Sequence, residues 1–221
     1  MIEFYDSEYI IGVDPAGQGR DRTVVSIAHL EANNVIRITH CFMLPDDTTF
    51  AERTTMIVNI ARRFEPKMVL VIDKTGLGSS IVEDVRAEVP FTVGLQITCG
   101  VSETMNGNDY TVSKSLLVAS LAYRVGNQLI KIDKSCDNVD VIREEFTAFS
   151  FQRKTIQGGE SYGASSGKHD DIVMSLAYCS FLADKVAAVA KLYAPFVPSF
   201  TGNVQEHPWR ASSGSYTFGF R

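Results

Sequence analysis

Four aspartates carry the chemistry that this sequence could do. Asp14 closes the apolar run Tyr9–Val13, and Asp73 closes a second run, Met68–Ile72. Asp170 and Asp171 stand just ahead of a long apolar stretch that begins at Ile172. Short apolar runs bounded by turn residues read as buried strands, and the longer one reads as a helix. If the Asp73 strand pairs parallel with the Asp14 strand, both carboxylates project from neighbouring strand ends on one edge of a sheet. Open α/β sheets place their sites at that edge. Carboxylates that converge there without fixed basic partners repel one another, so a divalent cation is the expected neutraliser. All-oxygen ligands favour Mg²⁺ or Mn²⁺ over zinc. Two such ions about 3.5–4 Å apart are suited to in-line displacement at phosphorus. Each acid alone also has a plainer role, since a strand-end aspartate often makes a turn and an Asp-Asp pair often caps a helix. Their conjunction at places the topology brings together favours the metal-binding reading.

Basic residues fall close to the same edge along the chain. Arg20, Lys114, Arg153, Lys154 and Lys168 are candidates to hold phosphates, with Arg22 and Lys74 beside them. Arg153 and Lys154 lie on a basic arm that could reach along a duplex. His169 could position water or phosphate, or simply support the helix start. Ser79, Ser80 and Ser113 read as helix caps. No Ser/His/Asp or Cys/His set has supportive spacing, which disfavours nucleophilic catalysis.

The elements that must position these residues follow from periodicity. Tyr9–Val13, Thr23–His29 and Val35–Phe42 form three strands joined by short turns. Thr49 and Glu52 make a capping box, and Ile57, Ile60, Ala61 and Phe64 share one helical face. The Met68–Ile72 strand turns at Gly76-Leu77-Gly78 into a helix that Ser80 and Glu83 would cap. Phe91–Ile97 is a fifth strand, and Ser113–Val125 a helix stopped by Gly126-Asn127. The resulting β-β-β-α-β-α-β-α string predicts an α/β mixed sheet with helices on both faces. A short strand (Leu129–Ile132), a helix around Val139–Phe146, a hairpin arm (Thr147–Ser166) and a final helix to about Ala190 complete it.

The chain has 221 residues, 45% of them apolar, and 21 basic against 26 acidic side chains, a net charge of -5. This is the composition of a globular protein able to bury a core without disulfides. No apolar stretch suits a bilayer span, and the first residues lack the pattern of a secretory signal. The four cysteines form no CxxC pair and read as buried thiols in a reducing compartment. Net negative charge does not exclude a nucleic-acid enzyme with a local basic groove.

Three segments together resemble a known family. Gly12-Val-Asp-Pro-Ala-Gly17, Val71-Ile-Asp-Lys-Thr-Gly-Leu-Gly78 and Gly167-Lys-His-Asp-Asp-Ile-Val-Met174 are similar to the acidic motifs of the nuclease domain of large terminase subunits. Those proteins package DNA in tailed bacteriophages. The resemblance spans about residues 9–183, and the third motif is the most specific. It implies an RNase H-like fold and a two-metal endonuclease that cuts concatemeric viral double-stranded DNA. Asp14 and Asp73 would then be metal ligands, with Asp170 or Asp171 completing the set. At the second position the family often has glutamate, where this chain has Asp73. The resemblance further implies the phage portal and the small terminase subunit as partners, in the cytoplasm of an infected host. It also implies a packaging ATPase, yet no G-x-x-x-x-G-K-[ST] is present, and Gly167-Lys168 is followed by His169. A nuclease domain alone, or a standalone relative, is expected.

The division expected is a nuclease domain over 1–190 and a tail over 191–221, partly disordered. From Val186 onward, seven aromatics stand among Pro, Ser and Gly, with three basic residues and one acid. They could anchor the tail in a partner or pack it back on the domain. Two other functional readings stay open: a non-catalytic DNA- or capsid-docking module, and an actin-like ATPase.

Overall fold

The structure is a computed structural model that describes residues 7–15, 22–76, 78–99, 102–153, 160–164 and 169–193. Three antiparallel strands open it: β1 (Tyr9–Asp14), β2 (Val24–Leu30) and β3 (Ile36–Met43). Helix α1 (Phe50–Ala61) follows, then β4 (Met68–Asp73), α2 (Gly78–Glu88) and β5 (Thr92–Thr98). A hairpin, β6 (Glu103–Asn106) and β7 (Asp109–Ser113), precedes α3 (Lys114–Gly126). The chain continues through β8 (Ile130–Ile132), α4 (Val139–Ala148), the pair β9 (Phe149–Arg153) and β10 (Glu160–Ala164), and α5 (Asp171–Tyr193). Eight strands form one sheet in the order β6-β7-β5-β4-β1-β2-β3-β8, and β9 and β10 pair separately. The predicted mixed sheet is therefore present, and β4 runs parallel to β1 as expected.

Three expectations need correction. The β6–β7 hairpin, closed by Gly107-Asn108, has no counterpart in the predicted string. Helix α2 begins at Gly78, which puts Ser79 and Ser80 inside its first turn instead of at its cap. Cys99 is exposed, while Cys41, Cys136 and Cys179 are buried. The caps of two other helices are as read. Thr49 Oγ1 accepts from Glu52 N while Glu52 returns a bond to Thr49 N, and Ser113 Oγ accepts from Leu116 N. Arg20, Lys154, Lys168, the middle of the expected hairpin arm (154–159) and residues 194–221 lie outside the described residues.

Alternation along the strands divides the interior into two cores. Ile11 and Val13 of β1, with Leu70 and Ile72 of β4, pack against Ile57 and Ala61 of α1 and Ile81, Val82 and Val85 of α2. Ile10, Val69 and Val71 point the other way, onto Leu117 and Leu121 of α3 and the apolar length of α5. Strands buried on both faces explain why β1 and β4 read as unbroken apolar runs. Helix α5 lies close on β1 because Gly12 offers no side chain: a Cβ there would stand 2.3 Å from Ser175 O and 2.7 Å from Cys179 Sγ. Among the described residues, no helix is long and apolar enough to cross a membrane.

Candidate acidic site at the sheet edge

The register of β1 on β4 pairs Val13 with Ile72, so Asp14 and Asp73 end their strands at the same level. Parallel neighbours are about 4.8 Å apart, and side chains two residues apart share a face. Asp14 follows Ile10 and Gly12, and Asp73 follows Val69 and Val71, so both belong to the face covered by α5. Gly78 presses the start of α2 against the end of β4, where an added Cβ would meet Asp73 O at 2.0 Å. Each strand end is thus fixed by one close glycine contact.

Helix α5 brings the second pair of acids. Asp170 O accepts from Met174 N, so the first helical bond starts there. Asp171 is buried, at 7% exposure, and its Oδ2 accepts from Arg22 N at 3.2 Å. His169 Nδ1 lies 3.2 Å from the same oxygen. Asp170 Oδ2 takes an ion pair from Lys114 Nζ at 3.1 Å. Tyr178, two turns further along α5, donates from its hydroxyl to Asp14 Oδ1 at 3.1 Å.

The electrostatics register this crowding. Burial pushes the Asp14 carboxyl well above its usual range, and the charges of Asp73, Asp171 and Asp170 push it further, against the Tyr178 hydrogen bond. Burial also raises Asp73, although Thr75 N donates to its Oδ1 at 2.7 Å. Asp73 therefore makes the turn that a strand-end aspartate favours and still belongs to the acidic group. Tyr178 is driven up by burial and by Asp14 and Asp73.

Of the basic candidates, Lys114 reaches this edge and is paired with Asp170. Arg153 ends β9, on the predicted arm. Lys74 is drawn away, since its Nζ binds Asp109 Oδ2 at 2.6 Å, and Arg86 binds the other oxygen of Asp109. Two residues near the site escaped the sequence reading. Tyr178 is one. The other is Glu145 of α4, 5% exposed, whose Oε2 accepts from Ile172 N at 2.9 Å. In sequence, Tyr178 is one apolar position in a long apolar helix, and Glu145 is one acid of a polar helix. Only the long-range packing marks them.

A hard divalent cation asks for oxygen donors, and the four aspartates offer nothing else. Among the described residues, no group of three or more His, Cys, Asp or Glu side chains stands close enough together to hold an ion by itself. Mg²⁺ does not ask for one, since it usually keeps several waters and takes one or two carboxylates plus substrate phosphate oxygens. Four oxygen-only donors, three of which raise the proton affinity of the fourth, Asp14, fit that demand.

The architecture has solved counterparts. The large terminase nuclease of the thermophilic phage G20c with bound magnesium matches at a TM-score of 0.61 and 23% identity, over 80% of this chain and 82% of that one. This chain has the RNase H-like fold of large terminase nuclease domains. The cobalt-bound form of the G20c nuclease matches at 0.61 and 24% identity, over 80% and 81%. The nuclease domain of the large terminase subunit gp2 of bacterial virus Sf6 matches at 0.56 and 11% identity, over 79% and 88%. No family model matches the sequence, and no curated protein matches it. The expected terminase-like fold thus stands on structure, where identity is low.

Proposed function

We propose that this protein is a Mg²⁺- or Mn²⁺-dependent endonuclease that cuts concatemeric viral double-stranded DNA during phage genome packaging. The observation that carries the reading is the meeting of Asp14, Asp73, Asp170 and Asp171 at one edge of a terminase-nuclease fold. Solved nucleases of this fold have been described with magnesium and with manganese. Asp14 and Asp73 would hold two such ions with Asp171, and Asp170 would lie alongside. The ions would activate water and stabilise the leaving oxygen of a phosphodiester.

The chain's own residues prepare that chemistry. The Tyr178 hydroxyl holds Asp14 Oδ1, and Thr75 N holds Asp73 Oδ1, so each carboxylate is oriented through one oxygen. Lys114, paired with Asp170 in the protein alone, offers a cation to a backbone phosphate. Arg20, Arg153, Lys154 and Lys168 are proposed to extend that contact along the duplex. Phosphate contacts of this kind make binding weaken as salt rises.

The proposed setting is the cytoplasm of an infected bacterium, with the portal and small terminase subunit as partners. Residues 1–190 would form the nuclease and 191–221 a docking tail. Nicking of supercoiled plasmid tests the activity. Nicked and linear products should form with Mn²⁺ or Mg²⁺ and vanish with chelator. Folded protein that leaves the plasmid intact with both ions contradicts the reading.

A further inference from the structure

We propose that Glu145 is a positioning residue for the acidic edge, capping the N-terminus of α5 from a neighbouring helix and so fixing the direction of Asp171. The proposal deepens the nuclease reading and rests on it.

The first N–H groups of a helix have no partner within the helix. In α5, Ile172 N donates to Glu145 Oε2 at 2.9 Å, and that carboxylate arrives from α4, 27 residues earlier in the chain. Ile142, one turn before Glu145, is buried with it, so α4 turns a single face toward this junction. The Asp170 side chain is occupied by Lys114. A carboxylate against a helix N-terminus is favourable for the helix dipole. It is unfavourable for Asp171, whose charge stands close by.

Glu145 also carries a cost that a purely structural residue would avoid. Its Oε1 is buried without a hydrogen-bond partner among the described residues, and a buried acceptor left unpaired is destabilising. An apolar side chain would remove that cost along with the cap. What the carboxylate supplies is orientation. Successive helical residues differ by about 100° in direction, so a one-residue slip in where α5 begins would turn Asp171 away from its present heading by that angle.

The test compares Glu145→Gln, which keeps an acceptor for Ile172 N, with Glu145→Met, which keeps volume alone. Mn²⁺ binding is read by calorimetry on the full chain, and amide exchange is read at Ile172–Met174. Glu145→Gln should bind Mn²⁺ within about threefold of wild type, and Glu145→Met about tenfold to a hundredfold more weakly, with faster exchange at those amides. Wild-type Mn²⁺ affinity in folded Glu145→Met overturns the proposal. So does a loss in Glu145→Gln of tenfold or more, which would assign the effect to charge instead of the cap. If Glu145→Met does not fold, Glu145→Ala is read in its place, and wild-type Mn²⁺ affinity in folded Glu145→Ala likewise overturns the proposal. A wild-type chain that takes up no ion overturns the nuclease reading, and this proposal with it.

Discussion

The Tyr178 hydroxyl donates to Asp14 Oδ1 across 3.1 Å, joining the middle of α5 to the end of β1. Tyr178 follows Asp171 by seven residues, two helical turns, so one face of α5 presents both to the strand end. Tyr178→Phe removes the donor and keeps the ring. It should leave the fold intact and slow Mn²⁺-dependent nicking about tenfold to a hundredfold, as loss of a ligand-orienting partner does. Single-turnover nicking rates measure this. An unchanged rate would show that the hydroxyl does not orient Asp14.

Asp109 gives the fold a defined response to acid. Burial alone would raise its carboxyl, but Lys74 and Arg86 outweigh burial and hold it below the usual range. A depressed acid binds fewer protons when folded than when unfolded, so its stabilisation is complete above the ordinary carboxylate pKa and is lost as pH falls through the folded value. At neutral pH, Asp109→Asn should cost about 1–2 kcal/mol, the scale of a half-buried charged hydrogen-bonded pair. Urea unfolding at neutral pH and near pH 2 measures it, and the gap between wild type and variant should close at the acidic end.

Asp170 and Asp171 should not contribute equally. Asp171 is the more buried, and it acts on Asp14 more strongly than Asp170 does. Asp171→Asn should therefore lower kcat about a hundredfold or more, while Asp170→Asn costs about tenfold or less. Equal, small losses in both would remove the start of α5 from the metal site.

How much of this was legible in sequence depends on how local each signal is. Asp14 and Asp73 were readable because apolar runs end at them, and Asp170 and Asp171 because an apolar helix begins there. The β6–β7 hairpin was passed over although Asn106-Gly107 marks a turn, because every residue of β6 is exposed and shows no alternation. Lys74 read as a free phosphate contact because its partner Asp109 lies on the unforeseen β7. Glu145 and Tyr178 act across 27 and 164 positions respectively, and no periodicity encodes such pairs. The need for glycine at position 12 comes from α5 lying on β1, a contact across more than 160 positions that no local pattern encodes.

If the acidic edge holds the ions that cut DNA, Asp14, on which the charges of Asp73, Asp171 and Asp170 all act, is the residue it can least spare. The most direct measurement is plasmid nicking by Asp14→Asn beside wild type, at equal concentration with Mn²⁺, on samples whose thermal unfolding shows both folded. Wild type should cut and the variant should give no product above the chelated control. A folded Asp14→Asn protein that cuts as fast as wild type would contradict the account.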